Sequence, residues 1–260
     1  MRRFLLAAVV TALWAVPARA VDHNNLDAGR PLGFDDADSL AFGEQALEFG
    51  LGLGWPRHRP LGLDLDAEYL YGFARNSHVS LGFDPSIGGR AGEGGTAFDV
   101  GNVSLGLFHN FNRQYGGMPA FSVRGDVFLP TGRDPEGVGF RLRGIATRQA
   151  GQYGQLHLNV DLNGQPGAGR GQRVLYPGLA LGYSRPLGYP TRFDTTGVAM
   201  LSVQAGRRSG TGPVIGIGVG LRRQVTVRSV LDVGLQTDLA GANGAPRDRL
   251  RIVAGYSTGF

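Results

Sequence analysis

The sequence contains no cysteine and no lysine. Without cysteine there is no disulfide framework, and no thiolate can hold a metal or act as a nucleophile. No apolar run approaches the ~20 residues that a membrane-spanning helix needs. Beyond the first 20 residues no segment carries a helical period. No basic patch is interleaved with aromatics, so nothing points to nucleic acid. No metal and no cofactor are expected.

What is present is glycine, 44 of 260 residues, in a chain that is 42% hydrophobic and therefore not disordered by composition. All 26 basic residues are arginine, against 21 acidic residues. Residues 1–20 read as a secretory signal peptide. Arg2 and Arg3 form a charged start, Phe4 to Val16 an apolar stretch, and Ala18-Arg19-Ala20 a small-residue cleavage site. Removing Arg2, Arg3 and Arg19 takes the formal charge from +5 to +2. The high isoelectric point thus carries no argument about partners. Residues 21–44 are polar and acidic, with no regular period.

From Gln45 onward the period is two. Leu47, Phe49, Leu51 and Leu53 alternate with Glu48, Gly50, Gly52 and Gly54. Leu63, Leu65, Ala67 and Tyr69 alternate with Asp64, Asp66 and Glu68. Val123 and Val127 flank Arg124 and Asp126, and Leu142 stands between Arg141 and Arg143. The pattern recurs to the end of the chain, where Ile252, Ala254, Tyr256 and Phe260 alternate with Arg251, Gly255 and Ser257. Twelve strands result, separated by turn signals such as Arg75–Ser77, Gln114–Gly117 and Pro186–Pro190.

Alternation alone fits a soluble sandwich or a membrane barrel. Several apolar faces here run the ~9–11 residues that a tilted strand needs to cross a bilayer, whereas soluble strands usually stop at ~5–6. The opposite face is polar or glycine. A spanning sheet must close so that every backbone group is paired, and an even strand number suits a bacterial barrel. The terminal aromatic Phe260, in phase with Tyr256, is similar to the C-terminal signal read by the barrel assembly machinery. The expectation is an all-β, 12-stranded antiparallel transmembrane β-barrel over residues 45–260, in the outer membrane and in contact with its lipid. Trp55, Tyr69, Tyr71, Phe128, Tyr183, Tyr256 and Phe260 would supply the interfacial girdles. Both termini would face the periplasm, and Pro85–Ala97 would be the longest outward loop.

The lumen residues follow from the same phase. Asp64, Asp66, Glu68, Arg124, Asp126, Arg141, Arg143 and Arg251 face inward as candidate selectivity residues. They form either an acidic wall facing a basic wall, or cross-strand ion pairs. The glycine stripes at 50, 52, 54 and at 216, 218, 220 leave room for another backbone, or mark strand curvature. On the first reading, residues 21–44 fold back as a lumen plug, with Asp35, Asp36 and Asp38 meeting lumen arginines.

Certain motifs resemble a known family. Arg30-Pro31-Leu32-Gly33-Phe34-Asp35-Asp36-Ala37-Asp38, followed by Ala46-Leu47-Glu48-Phe49-Gly50-Leu51-Gly52, is similar to the opening of the family named for the MetA pathway of phenol degradation. Tyr71 to Gly82 resembles its second hairpin, and Pro119 to Gly132 its strand ending in Leu-Pro-Thr-Gly. The motifs cover roughly residues 30–132. The resemblance implies an outer-membrane barrel that passes small, aromatic or hydrophobic solutes, and it supplies no catalytic residues.

An enzyme is the competing class, since a lipid-active barrel of phospholipase type needs a Ser–His pair. His78 lies in phase with Ser80, but no adjacent strand offers a carboxylate to orient it, and His109, near Ser104, projects toward lipid and reads as an interfacial histidine. His157 reads as a lining residue, and His58 has no serine beside it. No catalytic site is expected. A purely structural envelope barrel is the third class. Substrate and oligomeric state are not written in the sequence.

Overall fold

The structure, a computed structural model, describes residues 30–57, 61–88, 98–132, 137–192, 194–241 and 248–260. The expected signal peptide, residues 21–29 and His58 lie outside the described residues.

Fourteen strands follow one another in the chain. They are β1 (Gln45–Pro56), β2 (Gly62–Ala74), β3 (Ser77–Phe83), β4 (Ser86–Gly88), β5 (Phe98–Asp99), β6 (Val103–Asn112) and β7 (Ala120–Leu129). Then come β8 (Gly139–Ala150), β9 (Gly154–Gly164), β10 (Leu175–Pro186), β11 (Thr195–Gln204), β12 (Val214–Thr226), β13 (Ser229–Gly241) and β14 (Asp248–Gly259). Twelve of them are the staves of one closed antiparallel sheet, and each long strand pairs with its sequence neighbours. β1 pairs with β2 on one side and β14 on the other, from Ala46 opposite Gly259 to Trp55 opposite Leu250. No sheet edge is left along that seam, so the backbone of the wall is paired all round.

The two short strands correct one expectation. Residues 85–97 are not loop throughout. After Pro85 interrupts the third stave, Ser86–Gly88 resumes it beside Gly62–Asp64 of β2 and then pairs with Phe98–Asp99. Proline has no N–H to give to a ladder, and its carbonyl instead accepts the Leu65 N–H at 2.8 Å.

Period-2 patterning sets the two faces of the wall. Outward stand Phe49, Leu51, Leu105, Leu107, Leu181, Leu201, Val219, Leu221, Val233 and Leu235, all exposed. A water-soluble protein rarely exposes so large a contiguous apolar surface, whereas a barrel in lipid must. Trp55, Tyr71, Tyr183 and Tyr256 are exposed near strand ends, as an interfacial girdle requires. Phe128 does not join them. It is in phase with the buried Arg124 and Asp126, and so belongs to the inward face.

The two ends of the barrel differ. At one end, Asn76 takes a left-handed φ of 62° in a two-residue turn between β2 and β3. There the Phe260 N–H also donates to the Gln45 carbonyl at 3.0 Å, beside a Tyr69–Phe260 ring contact. This is the terminus end. The loop end carries the longer connections, including 84–102, 165–174 and 205–213.

Candidate functional site

The lumen at the terminus end is filled by the chain itself. Residues 30–44 precede β1 and run along the inward faces of the strands. Leu32 and Phe34 pack with Ala180 on β10 and with Val198 and Met200 on β11. Ala37 packs with Phe108, Ala120 and Ile145, and Leu40 with Ala46 and Leu70. Burial of side chains the size of Leu32 and Phe34 is worth roughly 1.5–3 kcal/mol each, before the entropy of ordering the segment is subtracted. The Phe34 ring lies 5.3 Å from that of His157 and directly over Gly182. A Cβ at position 182 would come within 2.3 Å of that ring, so only glycine leaves it room.

The polar contacts are equally specific. Arg30 forms a salt bridge with Glu48 on β1 and a second, at 3.2 Å, with Asp66 on β2. Asp35 accepts from Arg143 Nη1 at 2.8 Å, and Arg143 also holds Asp161 through Nε at 2.6 Å. Asp36 is buried, and its Oδ1 accepts the Asp38 N–H at 2.9 Å, which turns the segment locally. Asp38 is itself exposed. Among the three acidic residues expected to meet lumen arginines, the contact with Arg143 belongs to Asp35.

The inward charges of the wall are paired across the sheet. Asp126 stands opposite Arg141 in the β7–β8 register and Arg124 opposite Arg143. Arg141 binds Asp126 at 2.9 Å. Arg124 binds Asp126 at 2.9 Å and reaches Glu68 on β2 at 2.6 Å. That last contact crosses two staves, β3 and β6. It is open because the intervening inward positions are small. A Cβ on Gly106 would lie 2.3 Å from the Ser80 hydroxyl and 2.9 Å from Asp126. Arg251 on β14 likewise passes over Gly52 of β1 to bind Asp64 on β2 at 3.0 Å. Acidic and basic residues thus interleave in a network of cross-strand pairs.

The glycine stripes serve both ends of this arrangement. Gly50 lies under the Arg30 guanidinium, Gly218 under Leu32 and Gly220 under Pro31, so these three make room for the segment. Gly52 and Gly216 instead make room for wall side chains, Arg251 at the first and Ser202 with Asp238 at the second. Near Arg30 the Asp232 carboxylate is buried over Gly255, and neither of its oxygens has a hydrogen-bond partner.

The three described histidines make hydrogen bonds and ring contacts within the barrel. His78 stacks on Phe108 at 4.6 Å, and its Nδ1 accepts the Leu40 N–H at 3.3 Å. His109 faces outward and bonds the Ser77 hydroxyl at 2.8 Å, not Ser104. His157 is fully buried between the hydroxyls of Thr147 at 3.1 Å and Ser184 at 2.9 Å. Among the described residues two Ser–His pairs approach a nucleophile and base, Ser77–His109 and Ser184–His157; Thr147 stands where His157 would need a carboxylate orienter, and the His109 ring meets Phe111 edge-on. Tyr256 faces outward on β14, and Phe260 closes the seam.

Several residues of the site carry no sequence signal of their own. Asn110, Ser122, Thr147, Asn159 and Gln236 each bond the backbone of residues 31–37. Read along their strands they are ordinary polar lumen positions, and only the segment lying against them sets them apart.

No sequence-family model matches the chain, and no curated protein does. Solved structures do match. The COG4313 outer membrane channel from Pseudomonas putida F1 is 15% identical with a TM-score of 0.69, over 86% of this chain and 98% of that one. The NanC porin is 9% identical with a TM-score of 0.54, over 81% of this chain and 98% of its own. The KdgM porin is 10% identical with a TM-score of 0.53, over 83% and 99%. At such identities the likeness concerns architecture: the chain has the closed twelve-stranded antiparallel barrel fold shared with outer membrane channels and porins.

Proposed function

We propose that this protein is a passive outer-membrane channel for small solutes, held closed at rest by residues 30–44. The observation that carries the reading is the contrast between the two faces of the wall. An apolar outer belt suits lipid, and a charged inner face suits water. The porin-like fold supports it. In this reading the terminus end faces the periplasm, the signal peptide directs export, and Tyr256 and Phe260 form the strand end that the assembly machinery engages.

The lumen chemistry refines the solute class. Ion pairs line the inner wall along β1, β2, β7, β8, β9 and β14 and favour polar or charged solutes over apolar ones. The aromatic preference implied by the family resemblance has a place to act in the apolar wall of Ala180, Val198 and Met200 that now holds Phe34. A lipid-active enzyme is disfavoured because the Ser184–His157 pair is buried in the lumen with Thr147 in the orienter's place, and in the outward Ser77–His109 pair the serine is buried and the ring is bonded to it with no carboxylate.

Planar-bilayer recording of the refolded full chain and of an Arg30→Gln/Asp35→Asn variant tests the reading. Both substitutions leave the wall intact and loosen the segment. Rare openings for the first and sustained ohmic conductance for the second are expected. Two folded, heat-modifiable barrels without conductance would overturn it.

A further inference from the structure

We infer that the closed lumen is acid-sensitive: His78 and His157 hold residues 30–44 in place only as neutral rings, and their protonation releases the segment. The inference rests on the reading above, in which this segment can leave, and it names what controls its leaving.

Each ring is wired to the segment through its Nδ1. His78 Nδ1 accepts the Leu40 N–H at 3.3 Å, with the ring stacked on Phe108 at 4.6 Å. A backbone N–H can only donate, so this nitrogen carries no proton. His157 is reached through one intermediary. The Ala37 N–H donates to Thr147 Oγ1 at 3.0 Å, and the same oxygen lies 3.1 Å from His157 Nδ1. The Thr147 hydroxyl accepts from Ala37 and gives its own single proton to His157 Nδ1. His157 Nε2 then donates to the Ser184 hydroxyl at 2.9 Å. The run from Ala37 through Thr147 and His157 to Ser184 is satisfied throughout with a neutral ring.

A further proton breaks both arrangements. On His78 it sets two N–H donors against each other. On His157 it turns Nδ1 into a donor and leaves the Thr147 proton without an acceptor. It also places a cation where His78 is 3% exposed and His157 fully buried.

Neither cation would find a free carboxylate. Those facing His78 are Asp35 of the segment and Asp126 on β7, beside Arg124. Asp35 is bound by Arg143, and Asp126 by Arg124 and Arg141. β2 adds Glu68, itself bound to Arg124, and Glu44 of the segment accepts the Ala41 N–H. β6 turns Phe108 and Asn110 inward and His109 outward. Around His157 stand Thr147, Ser184, Asn159 and the Phe34 ring, and the inward face of β10 carries no charge. The next charges along β8 and β9 are Arg143 and Asp161, which bind one another.

With the segment gone, both rings meet the water of the lumen, where a histidine titrates at about 6.5. The open state therefore takes up two protons that the closed state refuses. Closure is fully favoured above about pH 7 and is lost as the pH falls through about 6.5. Between about pH 7.5 and about pH 5 each histidine shifts the balance by up to about thirtyfold, and the two together by up to about a thousandfold.

The test records the refolded full chain in planar bilayers at those two pH values, beside His78→Asn, His157→Asn and the double variant. Asparagine offers an acceptor oxygen where Nδ1 stands and does not titrate. The full chain should open at least about tenfold more often at the lower pH, each single variant should keep a smaller rise, and the double variant none. Hydrogen–deuterium exchange of the amides of residues 31–40, corrected for the intrinsic pH dependence of exchange, reads release of the segment whether or not ions pass. An acid response that survives in the double variant would place the switch on the carboxylates around Arg30 and overturn the inference. So would the absence of any acid response in the full chain while the Arg30→Gln/Asp35→Asn variant conducts. If the double variant does not fold, the single variants decide, and a rise in both equal to that of the full chain overturns it. Acid release of the segment without conductance from any variant would leave the switch standing and remove the channel.

Discussion

The two ends of the lumen use the same chemistry in different solvents. At the terminus end Glu48, Arg124 and Arg143 are almost wholly buried, and their partners Arg30, Glu68 and Asp35 are buried with them. Toward the loop end, the side chains of Arg251 and Asp64 retain 22% and 19% of their exposure, and Arg141 retains 25%. A buried ion pair gains little overall, yet breaking it strands a charge, whereas a wet pair is worth little either way. The lesson is that an ion-pair count says nothing of function until each pair is placed. The dry pairs tie wall strands together and hold the segment, and the wet pairs lie open to solvent in the lumen.

The largest test of that contrast is Arg124→Ala. It leaves Glu68 without its guanidinium partner and Asp126 with Arg141 alone, and should cost about 3–5 kcal/mol. Denaturant unfolding followed by the intrinsic fluorescence of Trp55 would read it, and a loss below about 1 kcal/mol would mean that this part of the lumen is wet as well. Next comes Phe34→Ala. It empties the pocket over Gly182 and should weaken the closed state by about 3 kcal/mol, seen as a large rise in open probability while the barrel unfolds as before. Asp35→Asn should act in the same direction by about 1.5–3 kcal/mol, since it removes a charged partner of Arg143 that still keeps Asp161. Arg251→Gln, at the wet end, should change stability by less than about 1 kcal/mol. It should nonetheless shift ion selectivity toward cations, measured as reversal potential in a salt gradient. A selectivity unchanged by Arg251→Gln and by replacement of Arg141 would remove the loop-end charges from the solute path.

The wall was legible in the sequence because lipid and water impose opposite demands on alternate residues. Leu51 against Gly52, or Val127 against Asp126, states which way each points, and turn residues such as Arg75 and Asn76 state where each strand stops. Adjacent-strand pairs such as Asp126–Arg141 followed from strand order. The Arg124–Glu68 bond did not, because it joins residues 56 apart over two intervening staves. The signal was there in a different form, as a run of small inward residues, Ser80, Gly82 and Gly106, lying between two charged strands. The short strand Ser86–Gly88 was hidden by Pro85, which reads as a stop and acts as an interruption. The backbone-binding set was the least legible. Asn159 or Gln236 on a lumen face looks like any polar lining residue, since its role depends on an irregular segment more than a hundred residues away.

The seam between β1 and β14 bears on the order of events in assembly. Every other pairing of long strands joins neighbours in the chain and can form as soon as a hairpin is present. The seam joins Ala46 to Gly259 and must wait for the last strand. The entropy of closing so long a loop grows only slowly with its length, but a pairing this distant is slow to find. Residues 30–44 lead directly into β1, one lip of that seam. Drawn in while the ring is still open, they would occupy the lumen before there is a lumen to fill. We therefore expect a newly closed barrel to be shut from its first moment, so that no leaky stage precedes the working one.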